Sequence, residues 1–238
     1  FISRKKVFWN GFFLVLNTFL ILNCKTYILI SLIPGALLWL NNFYLGSLKN
    51  NLIKILVFPL LLVVFLSFGF FIFNNFSSSM GRYGSLDSII EKAQITQDDL
   101  LRELSYGENN YKLDRIDGSI NGLLSSAPLA TFTALFRPLP WEIGSPTMVI
   151  SAIENTVLLL FVLYSLIRIG PFKFLKIIVN DPFLVYCFIF SLFFAFGVGI
   201  AGTNFGALVR YKIPLMPFFF SGVYLVRQKS KSYLSIIS

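Results

Sequence analysis

The sequence predicts an all-α fold, a polytopic helical membrane protein with about six transmembrane helices and one long outer helical segment. Three observations lead there. First, the 238 residues are 56% hydrophobic and only 13% charged, against about 25% charged for a soluble domain. So few charges cannot coat a globular surface of this size. Second, six apolar runs approach the roughly 20 residues that a helix needs to cross a hydrocarbon layer about 30 Å thick. Third, the basic residues beside those runs alternate between many and few, as the positive-inside rule requires.

The runs are 7–23, 27–44, 52–73, 148–167, 183–201 and 213–226. Only Cys24-Lys25-Thr26 separates the first two, so they form a tight helical hairpin or one is a re-entrant segment. The second run is interrupted by Pro34-Gly35, and the sixth is short and carries Pro214 and Pro217. The sixth therefore reads either as a full span or as a half-helix, because broken backbone at membrane depth must be buried in protein or line a cavity. Ser3-Arg4-Lys5-Lys6 before the first run resembles the start of a signal peptide. No small-x-small cleavage pattern follows, and a retained span is expected.

With six spans, one side of the membrane receives Arg4, Lys5, Lys6, Lys49, Lys54, Arg168, Lys173, Lys176, Arg227, Lys229 and Lys231, against one acid, Asp181. The short loops opposite hold only Lys25, Arg210 and Lys212. Both ends are thus expected to be cytoplasmic. The division is 1–73, three N-terminal spans; 74–147, an outer segment; and 148–238, three C-terminal spans. The outer segment is acidic, with nine acids and six bases. The formal charge of +9 is therefore read as membrane orientation, and no nucleic-acid partner is expected.

Within the outer segment, Leu86, Ile89, Ile90, Ala93, Ile95, Leu100, Leu101 and Leu104 recur at roughly helical spacing. Thr96 with Asp99 reads as a capping box. Ile120, Leu123, Leu124, Leu129, Phe132, Leu135 and Phe136 form a further apolar face, interrupted by Pro128, that can lie in the interface or dip into the membrane.

The chain has no histidine, which removes the commonest general base and neutral metal ligand. Its two cysteines, Cys24 and Cys187, lack metal-ligand spacing. No nucleotide-binding glycine motif occurs. No metal and no cofactor are expected.

Three stretches hold residues able to carry chemistry. Arg137-Pro138-Leu139-Pro140-Trp141-Glu142 closes the outer segment. Its plain reading is a stiff turn with an interfacial indole. Its functional reading has Arg137 clamp an anion, since its planar fork matches phosphate, while Trp141 contacts substrate and Glu142 serves as acid or base. Glu154 is the acid well inside an apolar run, by default a functional residue whose partner must be named; Arg137 and Arg210 are the candidates. The alternative is a polar pair that holds helices together. Asn204, Arg210 and Lys212 lie in the connection 202–217, where two cations beside the apolar interface suit a lipid-linked phosphate. Their plain reading is a short loop with snorkelling side chains. The expected site is thus Glu142 and Glu154 as catalytic residues, for proton transfer or to stabilise an oxocarbenium-like centre, with Arg137, Trp141, Asn204, Arg210 and Lys212 binding substrate.

At Phe136-Arg137-Pro138-Leu139-Pro140-Trp141-Glu142, Ala152-Ile153-Glu154-Asn155 and Asn204-Phe205-Gly206-Ala207-Leu208-Val209-Arg210-Tyr211-Lys212-Ile213-Pro214, with Gly118-Ser119 before them, the chain resembles a loosely defined group of bacterial polytopic membrane proteins associated with surface-polysaccharide biosynthesis. The resemblance covers roughly the last half of the chain. It implies a multi-pass protein of the bacterial inner (cytoplasmic) membrane, polymerase-like or glycosyltransferase-like, that acts in cell-envelope glycan assembly on a polyprenyl-diphosphate-linked glycan at the outer face. The acidic pair found in the first outer loop of many lipid-linked-sugar transferases is not present in these residues. Membrane lipids and a polyprenyl-linked glycan are the expected partners. Two other classes remain open: a multi-span transporter or flippase using Glu154 and the broken helices, and a non-catalytic assembly subunit that docks a membrane-protein partner.

Overall fold

The computed structural model describes residues 7–46, 91, 94, 95, 98, 120–202 and 204–235. Every regular element among them is helical. The third run, 52–73, and most of the acidic outer segment, including Thr96 and Asp99, lie outside the described residues.

Helix α1 is Val7–Gly46, broken at Lys25 (φ −151°, ψ 81°), where the polar triplet interrupts the apolar pattern. It comprises two shorter apolar stretches, Phe8–Ile21 and Tyr27–Trp39. Helix α2 is Ile120–Phe136 and continues through Pro128. Proline removes one helical N–H and opposes the helix sterically. The helix is nonetheless held on the core: Ala130, Ala134, Leu135 and Phe136 are buried. It therefore packs one face against the bundle, while Leu129 and Phe132 stay exposed.

Helix α3 is Pro146–Ile169, α4 is Pro171–Val179 and α5 is Pro182–Ala201. Short helix α6, Phe205–Tyr211, and a 3-10 turn, Ile213–Leu215, lead into α7, Met216–Ser235. Among the described residues, two helices are long and apolar enough to cross a membrane, Met148–Ile169 and Pro182–Ala201. Their environments differ. Half of the apolar window of α5 is buried, but only 22% of that of α3. A core helix of a water-soluble protein would be mostly buried; α3 instead exposes Ile150, Ile153, Val157, Leu160 and Ile167.

Helix α5 is the hub. Tyr27 stacks on Phe194 at 5.7 Å, while a Cβ on Gly35 would lie 3.0 Å from the Tyr186 carbonyl. The second half of α1 thus runs antiparallel to α5. Helix α7 is antiparallel to α5 as well: Phe218 meets Phe190 edge-on at 4.7 Å, and Lys229 pairs with Asp181. Helix α3 runs parallel to α7, since Lys212 meets Asn155 and Arg227 lies over Tyr164. Gly199 of α5 meets the backbone of Ala130 in α2 so closely that a Cβ there would lie 2.0 Å from the Ala130 carbonyl oxygen.

The 28 phenylalanines supply much of the inter-helix contact. Phe132, Phe136, Phe219, Phe188 and Phe174 form one continuous chain of ring contacts with centroids 5.3–6.1 Å apart. It crosses from α2 through α7 and α5 to α4, and three of its four contacts are edge-to-face, the geometry that ring quadrupoles favour.

Asp181 joins two elements. Its Oδ1 accepts from the N–H groups of Phe183 (2.8 Å) and Leu184 (3.2 Å), capping α5, and its Oδ2 accepts from Lys229. Burial raises its pKa, but the Lys229 hydrogen bond and the two backbone N–H groups outweigh this and hold it below the ordinary 3.8. The stability it contributes is present above that ordinary value and is lost as pH falls through the lowered one. Asp181→Ala is expected to cost about 1–2 kcal/mol at neutral pH, mostly from the cap, since an exposed ion pair contributes little. Asp181→Asn should cost less, because asparagine caps equally well. Melting curves of both variants in detergent at pH 7 check this; an Asn variant as damaged as the Ala variant would assign the effect to the ion pair.

Candidate functional site

The residues singled out in sequence gather near one end of the bundle, around the 3-10 turn Pro140–Glu142, the first turns of α3, and α6. The turn is held by Glu142. Its Oε1 accepts from Arg137 Nε at 2.7 Å and also from Arg137 Nη2, and its Oε2 accepts from the Leu139 N–H at 2.8 Å. The Arg137 guanidinium also lies over the Phe205 ring, 5.2 Å from its centroid. The Arg137–Pro138 peptide is cis.

Lys212 lies just beyond α6 and is only 3% exposed. Its Nζ donates to Asn155 Oδ1 at 2.6 Å, to the Arg137 carbonyl at 3.3 Å and to the Leu135 carbonyl at 3.4 Å. An ammonium has three donors, and here all three have oxygens to meet. Asn155 is also buried, and its Nδ2 donates to the Pro138 carbonyl at 3.4 Å. Three separate parts of the chain are thus clasped: the end of α2 with the turn that follows it, the first part of α3, and the approach to α7. Burial pushes Lys212 down to about 8, partly offset by the negative charge of Glu154.

Asn204 is buried and caps α6, its Oδ1 accepting from the N–H groups of Gly206 (2.9 Å) and Ala207 (3.2 Å). Arg210 is exposed, and its Nε donates to the Gly206 carbonyl one turn back. Trp141 is 79% exposed. Glu154 is exposed as well, its neighbour Asn155 facing inward.

The structure thus unites Arg137, Glu142 and Lys212 and leaves Trp141, Glu154 and Arg210 on the outside. Arg137 pairs with Glu142; neither of the partners considered for Glu154 forms an ion pair with it among the described residues. Both carboxylate oxygens of Glu142 are engaged, so it shapes the turn. Among the three cations considered, Lys212 is saturated, Arg137 is neutralised by its neighbour, and Arg210 presents an accessible guanidinium.

Sequence reasoning passed over Asn155 in favour of Glu154. A signal was available: Met148, Ala152, Asn155 and Leu158 repeat at three- and four-residue steps and are all buried, and this spacing puts Asn155 on the packed face of α3. Among the described residues no group of three or more acids, cysteines or histidines is placed to hold a metal ion. Comparison with protein-family models, with curated proteins and with solved structures finds no match.

Proposed function

We propose that this chain is a multi-span protein of the bacterial inner membrane that takes part in envelope glycan assembly, engaging a polyprenyl-diphosphate-linked glycan at the outer face. Six spans with both ends cytoplasmic are part of this reading. It is supported by the alternating helix directions and by the separation of charge along the bundle. Arg168, Lys173, Lys176, Arg227, Lys229 and Lys231 belong to the end of α3, to α4 and to the last part of α7, and Arg137, Glu154, Arg210 and Lys212 belong to the other end.

The observation that carries the substrate assignment is the exposed Arg210 guanidinium. It lies in the last turn of α6, two residues before the buried Lys212, at the end of the bundle that also exposes Trp141 and Glu154. A diphosphate accepts paired N–H donors from a guanidinium, an indole suits interfacial depth, and a single carboxylate can take the proton of the hydroxyl that attacks the anomeric carbon. In this reading Arg210 binds the diphosphate, Trp141 flanks it, Glu154 accepts the proton of the attacking hydroxyl while the diphosphate leaves, and Arg137, Glu142, Asn204 and Lys212 hold the scaffold.

Arg210→Ala is expected to weaken binding of undecaprenyl diphosphate by about tenfold or more, the loss of a charge-assisted pair. It should also abolish glycan polymer in cells that depend on this protein, with the variant still in the membrane. Normal polymer from that variant would overturn the assignment. The engagement of Arg137 and Glu142 with each other favours a second reading, a non-catalytic assembly subunit. In that case Glu154→Gln leaves polymer unchanged, and deletion of residues 86–104 releases a co-purifying membrane protein.

A further inference from the structure

Helix α4 has a surface that the glycan reading does not use. It follows α3 through Gly170, whose φ of +82° is open to glycine and strained for other residues. The Gly170 N–H donates to the Leu166 carbonyl at 2.8 Å and its carbonyl accepts from the Phe174 N–H at 2.9 Å. One residue therefore ends α3 and starts α4.

Three strips run along α4. Phe174 and Ile177 are buried against the bundle. Phe172, Leu175 and Val179 are exposed, Phe172 to 90%. Lys173 and Lys176 are three residues apart, and Asn180 follows four residues later, a spacing that aligns them. With Phe172 and Ile177 they line an open cavity of about 420 Å³. Neither lysine has a carboxylate partner among the described residues. Along the chain α4 stands between exposed Ile167 at the end of α3 and exposed Phe183 at the start of α5, the two helices among the described residues that are able to cross a membrane.

We propose that α4 lies in the headgroup layer of the membrane and that the cavity beside Lys173, Lys176 and Asn180 receives the anionic headgroup of a phospholipid. Phe172, Leu175 and Val179 then contact its acyl chains. Two features select this occupant. The cationic strip lies beside the apolar one, the arrangement of a helix at a charged lipid interface. The helices before and after α4 in the chain also expose apolar side chains next to it, Ile167 and Phe183, and a soluble anion would have no use for such apolar groups. The proposal rests on the membrane reading above but not on the glycan site, which lies at the other end of the bundle.

The test uses the full chain purified in detergent, with retention of phosphatidylglycerol and phosphatidylcholine compared by native mass spectrometry. Wild type is expected to retain phosphatidylglycerol about tenfold better, in line with the attraction of two lysines near an anionic surface. Lys173→Gln combined with Lys176→Gln should bring the ratio close to one at an unchanged melting temperature. Phe172→Ser should weaken both lipids, and inorganic phosphate should not compete. Equal retention of the two lipids by wild type, a preference that survives in the double glutamine variant, or displacement by inorganic phosphate would each overturn the proposal. A chain that stays soluble and lipid-free without detergent would instead remove the membrane reading.

Discussion

Gly199→Ala is expected to melt roughly 10 °C below wild type in detergent, a loss of about 3 kcal/mol. The added Cβ would lie 2.0 Å from the Ala130 carbonyl oxygen, 2.5 Å from its carbon and 3.0 Å from its Cα. These are backbone atoms of α2 and cannot rotate away as a side-chain tip would, so α2 must move as a body. That movement would also disturb Ala134 and Leu135 and the Leu135 carbonyl that accepts from Lys212. Gly197→Ala, two residues earlier in the same helix, supplies the control. A Cβ there meets nothing within 4 Å, and the gain in helix propensity should leave stability unchanged or higher by up to about 1 kcal/mol. If both variants melt alike, the close crossing of α2 and α5 is wrong.

The second large effect belongs to Lys212→Met, expected to cost about 2–4 kcal/mol at neutral pH. Methionine fills similar space but donates nothing, and it leaves Asn155 Oδ1 and two carbonyls buried without their donor, at about 1–3 kcal/mol for each group left unmet. Relief from burying an ammonium offsets part of this. Adding Asn155→Leu removes one orphaned acceptor and should restore part of the loss, which a merely steric role for Lys212 would not produce. The pH dependence gives a separate reading. Burial sets the folded pKa near 8, below the ordinary 10.5, with Glu154 opposing. Above 10.5 the amine is neutral folded or unfolded. As pH falls from there the unfolded chain takes up the proton first, stability drops, and the penalty is complete below about 8. Wild type should therefore gain stability as pH rises from 8 toward 10.5, and the Met variant should lack that part of the rise in chemical-denaturation curves.

Long elements were the most legible part of this chain. Helices α3 and α5 start and stop within two residues of their apolar runs, because an uninterrupted apolar stretch bounded by prolines and charges leaves little choice of end. The break at Lys25 was legible for the same reason. Helix α4 was not, since eight residues with two lysines between Gly170-Pro171 and Asn180-Asp181 look like a basic loop until Phe174 and Ile177 are seen to bury. Pro128 misled in the other direction: local chemistry argued for an interruption, and packing of Ala130 and Ala134 on α5 overrode it. At the site, Arg137 and Glu142 were near in sequence and proved to be partners. Lys212 and Asn155 are 57 residues apart, and no spacing rule reaches so far. Sequence indicated that Lys212 mattered, but whether it faced outward to a ligand or inward to oxygens depended on tertiary packing.

The chain of phenylalanine rings from α2 to α4 has a practical consequence. Water exclusion drives helices together in soluble proteins, but lipid tails are as apolar as the side chains they would replace. Edge-to-face ring contacts owe part of their strength to the fixed charge distribution of the rings, and that part is similar in lipid and in detergent, whose hydrocarbon interiors are both of low dielectric constant. The described helices should therefore keep their mutual arrangement when lipid is exchanged for detergent, which makes the bundle portable between the two solvents.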